Sequence, residues 1–175
     1  MTDIIERPEL YGSRVLLADA IPTQEAHAHV FALEEINRKK PQVELPLRHF
    51  IADGCYVREI FMPAGLDVTG RIHKHEHIAI QVYGDITIFD HTGAYRMSGY
   101  NVFVSKPGAK RALRTHADTM FLTVHKLRQP IQEVTPEILA ELEREYVAET
   151  MEEYQLYLAH ENSPRFEVLP STTPP

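Results

Sequence analysis

Three histidines stand at alternate positions in one short segment, within Gly70-Arg71-Ile72-His73-Lys74-His75-Glu76-His77-Ile78-Ala79-Ile80-Gln81-Val82-Tyr83-Gly84. Alternate side chains of an extended strand share a face. The spacing therefore predicts His73, His75 and His77 on one side, with Ala79, Gln81 and Tyr83. Ile72, Ile78, Ile80 and Val82 fall on the other. Burying three unpaired imidazoles is costly. Neutral imidazole is also the side chain most used to ligate Zn, Fe, Ni or Mn. The chemistry such a row suggests is binding of a divalent metal. Its alternative is a hydrogen-bonded polar lining without metal.

Basic residues lie close to this row. Arg71 precedes His73 by two positions and shares its face, and Lys110 and Arg111 follow a Pro107-Gly108 turn, with Arg114 further on. Guanidinium groups form bidentate bonds to carboxylate or phosphate, so these residues suit a small anionic ligand; the alternative is solvated surface charge. Gln81 and Tyr83 are placed to add hydrogen bonds inside the same space. Glu59 shares its strand face with Val57 and Phe61. An inward Glu59 would support a histidine or act as a base, and an outward one would only be solvated. Glu59 and Tyr83 are the candidate catalytic residues.

The elements that must position these groups fall into three zones. Residues 1 to about 45 form an N-terminal arm, with a helix expected over 24–39, capped by Thr23 and ended by Pro41. Ala26, Val30, Leu33 and Ile36 are its helically spaced apolar positions. His27 and His29 point different ways along it and are read as surface or packing residues. Residues 46–128 carry short apolar or alternating runs between turn signals. Strands are expected over Cys55–Met62, 72–83, 85–89, 95–97, 101–105 and 120–125. Cys55 is read as a small buried residue, and His49, His91, His116 and His160 as surface or turn residues. The third zone opens with Thr135-Pro136-Glu137, a helix start. A single helix is expected over 135–160, its apolar stripe running through Ile138, Leu142, Tyr146, Met151 and Leu158 to pack on the barrel or a partner subunit. Residues 161–175 read as a Pro- and Thr-rich tail.

The central segment resembles the cupin superfamily. Pro63-Ala64-Gly65, the histidine-rich strand and Gly84 follow the order of that family's first motif, and Val102-Phe103-Val104-Ser105-Lys106-Pro107-Gly108 is similar to its second. Lys74-His75-Glu76-His77 and Pro107-Gly108-Ala109-Lys110-Arg111 are also similar to stretches of small cupins encoded in tailed-phage genomes. The resemblance implies a mainly β fold, a double-stranded β-helix or jelly-roll barrel, with an N-terminal helical arm and a C-terminal helix. In register with Gly84, His73 takes the place of the second family histidine and His77 that of the acidic ligand, whereas Arg71 replaces the first histidine. No histidine follows Pro107-Gly108 where the last family ligand would fall. His75, on the expected face, and His125, ending the last strand beyond Phe121 and Thr123, are the residues left to complete a set. The expected metal ligands are thus His73, His75, His77 and His125, for a divalent Fe, Mn, Ni or Zn.

Composition narrows the function classes. A net charge of −7 argues against a nucleic-acid partner. A single cysteine excludes an internal disulfide. No leader-like or membrane-length apolar run is visible, which sets the expectation of a cytoplasmic protein without membrane contact. The 175 residues, 43% of them apolar, suffice for one core. The partners expected are a small anionic ligand and a second copy in a homodimer. Three functions remain open: a metal-dependent enzyme of oxidoreductase or isomerase type on a small polar or anionic substrate, a non-catalytic binder of a nucleotide or sugar phosphate, and an assembly protein.

Overall fold

The structure is a computed structural model and describes residues 25–161. The expected Thr23 cap and the tail beyond residue 161 lie outside the described residues, and Glu161 itself ends a helix. Helix α1 spans Ala28–Arg38 and buries Val30, whereas Ile36 points to solvent. Eight strands follow: β1 Leu47–Ala52, β2 Cys55–Met62, β3 Asp67–Thr69, β4 Ile72–His73, β5 His77–Asp90, β6 Gly93–Ser98, β7 Asn101–Ser105 and β8 Ala112–Lys126.

All but β4 join one antiparallel sheet in the order β1-β2-β8-β5-β6, with β3 on β8 and β7 on β5. The long strands β5 and β8 pair along most of their length and serve both halves of the barrel. One half of β8 holds β2 and the other holds β3, while β5 holds β7 and then β6. This is the expected mainly β, cupin-type double-stranded β-helix, with helices at the N-terminal side and towards the C-terminus.

Three sequence expectations change here. The stretch 72–83 is not one strand. It breaks at 74–76 and resumes at His77, then runs through Gly84 to Asp90. Gly84 is not a turn but a kink in β5, where the register with β8 shifts. Its φ is +114°, and a Cβ there would sit 2.2 Å from Thr119 Oγ1, so only glycine fits. Cys55, expected to be buried, is exposed at the start of β2.

The C-terminal zone also departs from expectation. It forms α2 over Pro136–Tyr146, a short strand β9 over Val147–Ala148, and α3 over Met151–Glu161. Thr135 caps α2 as predicted, accepting from the Ile138 N–H. The single helix expected over 135–160 is interrupted because β9 pairs with β4 and the Tyr146 carbonyl accepts from the Lys74 N–H at 2.9 Å. The apolar stripe packs on the chain's own barrel. Leu142, Tyr146 and Val147 meet Tyr56 and Leu127, and Met151 and Tyr154 meet Ile72. No helix among the described residues is long and apolar enough to cross a membrane.

Candidate metal centre

Strand pairing brings the key histidines together. Ile78 pairs with Val124, which sets His77 of β5 beside His125 of β8, and Tyr56 pairs with His125 on its other side. His73 arrives from β4, which lies outside the main sheet. Its segment is tied on one side to β9. On the other side it is tied to the turn before β8: His73 N–H donates to the Ala109 carbonyl at 3.0 Å, and Gly108 N–H to the His73 carbonyl at 2.7 Å. That turn is held in turn by α1. The buried His27 donates from Nε2 to the Gly108 carbonyl at 2.9 Å, and the fully buried Lys110 bonds the Gly70 carbonyl at 3.0 Å and pairs with Glu34 at 3.2 Å.

One ligand atom from each of His73, His77 and His125 lies within 4.8 Å of the others. Ring centroids are 4.2 Å apart for His73–His77 and 4.7 Å for His77–His125. His77 donates from Nδ1 to the His75 carbonyl at 3.0 Å, which fixes its tautomer and leaves Nε2 as a lone pair. His125 Nε2 meets Thr123 Oγ1 at 3.1 Å. Nδ1 of His73, Nε2 of His77 and Nδ1 of His125 are buried without a hydrogen-bond partner. Burial is the largest cause that pushes all three imidazoles down: His73 well below the usual histidine range, His77 to about 4 and His125 to about 3. Neighbouring His77 and Arg58 add to this for His73 and His125, and Arg111 and Arg58 for His77, where the His75 carbonyl partly opposes it. Three neutral rings, each with a buried nitrogen free of hydrogen bonds and with one ligand atom apiece within 4.8 Å, fit a divalent cation of the zinc or iron type.

His75 is not in this cluster. The bend at 75 takes it off the shared face, and its Nδ1 lies 3.2 Å from the Tyr157 hydroxyl and 3.3 Å from Arg128 Nη2, against the C-terminal segment. Glu59 faces the opposite side of β2 from the cavity and pairs with Arg48. Tyr83, beyond the start of the β5 kink, is 44% exposed. Neither proposed catalytic residue reaches the histidines. Gln81 is fully buried below them, bonded to the Met97 carbonyl and Asn101. Lys110 is spent on Glu34 and Gly70, and Arg114 is an exposed partner of Asp67. His49, expected at the surface, stacks on Tyr56 and bonds its hydroxyl at 2.8 Å.

A cavity of about 340 Å³ opens beside the centre, and His73, His77, Arg58, Arg71, Arg111 and Glu143 are its histidine and charged lining. Arg58 and Glu143 escaped the sequence reading. Arg58 pairs across strands with Thr123, also in the cavity wall, and donates from Nη2 to Glu143 Oε2 at 2.9 Å. Glu143 is delivered by α2 and also accepts from the Tyr56 hydroxyl at 3.3 Å. Arg71 is half exposed and divided between Glu149 at 3.1 Å and Glu143 at 3.7 Å.

No family model and no curated protein matches the chain. Solved structures do. A conserved protein of unknown function from Streptococcus pyogenes is 16% identical over 51% of this chain and 80% of its own, with a TM-score of 0.41. A cupin superfamily protein from Desulfitobacterium hafniense is 9% identical over 51% and 83%, with a TM-score of 0.42. The DMSP lyase DddQ from Ruegeria pomeroyi is 19% identical over 53% and 51%, with a TM-score of 0.42. Each is a likeness of fold; the chemistry of the site comes from its own residues.

Proposed function

We propose that the barrel holds one divalent metal ion on His73, His77 and His125 and acts on a small anionic molecule bound in the adjoining cavity. The observation that carries this is the trio of neutral imidazoles, His77 and His125 buried and His73 half-buried, each with one buried, unpartnered nitrogen. Such an ion, when bound, supplies a Lewis acid with open positions for a substrate oxygen. Arg111 supplies positive charge beside it, and Arg58, paired with Glu143, lines the same wall.

A second reading, binding without turnover, has one observation in its favour. The carboxylate that reaches the cavity, Glu143, is engaged by Arg58 and Tyr56, and Glu59 and Tyr83 lie elsewhere. A reaction that needs a free general base therefore lacks one among these residues.

The test is elemental mass spectrometry on untagged protein from metal-replete cells, with His73→Ala/His77→Ala as control. About one metal per chain, lost in the double variant, supports the centre; a metal-free wild type that takes up none of Zn, Ni, Mn or Fe removes it. Ligand recovered unchanged from the loaded protein favours binding over catalysis.

A further inference from the structure

We propose that the molecule taken by this cavity is a small amphipathic carboxylate, anchored by Arg111 with its apolar body lying along the inner barrel wall. This rests on the reading of the cavity as the ligand site and is independent of whether the metal is catalytic.

Among the three cavity arginines, Arg111 is the one without a close carboxylate. Arg58 is held by Glu143 at 2.9 Å and Arg71 by Glu149 at 3.1 Å. Arg111 donates from Nη1 to Ser105 Oγ at 2.8 Å, and its nearest acidic partner, Asp90, stands 3.9 Å from Nε. Asp90 is already occupied, accepting from the Thr92 N–H at 2.8 Å, the Thr92 hydroxyl at 2.6 Å and the Tyr95 hydroxyl at 3.1 Å. Arg111 Nε is buried with no hydrogen-bond partner. A half-buried guanidinium whose buried Nε lacks an acceptor has a donor to offer, and a carboxylate matches its fork.

One weakly compensated cation suits one negative charge. A phosphate dianion would need more than Arg111 offers. The rest of the ligand is set by the wall, where Ile60, Met62, Val68, Ile88, Leu113 and Phe121 line the cavity. Leu113 pairs with Val68 on one side and Ile88 on the other, so this apolar patch begins two residues along β8 from Arg111. A sugar body would leave its hydroxyls unpaired on such a wall. The volume, about 340 Å³, sits at the small end of ligand pockets.

The experiment is titration calorimetry on the full chain, chelator-treated and zinc-loaded, with hexanoate, acetate, hexan-1-ol and inorganic phosphate as probes. Four extra buried methylenes predict hexanoate binding roughly 200-fold tighter than acetate. Losing the charged hydrogen bonds predicts that Arg111→Met weakens hexanoate about 10- to 100-fold, while hexan-1-ol changes less than threefold. Acetate or phosphate binding as tightly as hexanoate would overturn the amphipathic ligand. Hexan-1-ol matching hexanoate would overturn the carboxylate anchor, as would an unaffected Arg111→Met. The wild-type probe series decides the matter even where the variant fails to fold. Hexanoate binding that survives the chelator separates this proposal from a failure of the metal centre.

Discussion

Acidification of the metal-free protein is the perturbation whose size the centre predicts most directly. His77 is held at about 4 and His125 at about 3 against an ordinary 6.5, and His73 is lowered further than a modest shift. The folded pKa lies below the unfolded one, so above pH 6.5 both states are neutral and nothing is lost. As pH falls through 6.5 the unfolded chain takes up protons that the fold refuses, and stability declines until the folded pKa is reached. At pH 5 each such histidine costs about 2 kcal/mol, from RT ln(1 + 10^1.5). Three together give an upper bound of about 6 kcal/mol, a large share of the roughly 5–15 kcal/mol that holds a domain folded. His27, His49 and His75, lowered chiefly by burial, act in the same direction. Urea unfolding of chelator-treated protein at pH 7.5 and pH 5 reads the loss. His125→Gln, which cannot titrate, should lose about 2 kcal/mol less between the two pH values than the wild type does. An equal loss in both proteins would refute the placement of a neutral His125 in the buried cluster.

Four further outcomes follow from particular contacts. Gly84→Ala forces a Cβ against Thr119 at a positive φ and should destabilise by roughly 2–4 kcal/mol in chemical denaturation. Glu34→Gln removes the negative charge paired with the buried Lys110, which keeps the Gly70 carbonyl and the face of Phe31; a loss of about 1–3 kcal/mol is expected. Zinc affinity should fall with it, because that lysine braces the turn bonded to His73. Glu59→Gln and Tyr83→Phe should leave zinc and hexanoate affinities within twofold by calorimetry, since both side chains lie away from the cavity. Saturating zinc at 100 times its Kd should raise stability by about 2.7 kcal/mol, read as a higher melting temperature that His77→Ala abolishes.

The barrel was legible because its strands obey alternation and its turns are marked by Pro and Gly. His73 and His77 do come together, but not through alternation, because they stand on separate strands, β4 and β5, on either side of the break at 74–76. The place of His75 was not legible, because the rule assumes an unbroken strand. The Lys74 N–H instead bonds the Tyr146 carbonyl, the Lys74 ammonium bonds the Arg144 carbonyl, and Glu76 pairs with Lys106. These distant contacts bend the chain at 75. The choice between Arg58 and Glu59 was not legible either. Apolar residues occupy both faces of β2, Tyr56, Ile60 and Met62 on one and Val57 and Phe61 on the other, so hydrophobic patterning is silent on which face is inner. Glu143 borders the apolar stripe of α2, four residues after Leu139 and three before Tyr146, and its charge gives no sign of a cavity role until the helix is docked. The break in the C-terminal helix depends on β4, some 75 residues earlier, which offers β9 a strand partner. Local propensity over 135–160 carries no sign of it.

X-ray absorption at the zinc edge of loaded protein tests the central claim most directly. The account predicts a first shell containing three imidazole nitrogens at about 2.0–2.1 Å completed by water oxygen. It also predicts the same spectrum for His75→Ala and loss of stoichiometric zinc for His125→Ala. A four-imidazole shell that drops to three in His75→Ala, or zinc retained without His125, would contradict it.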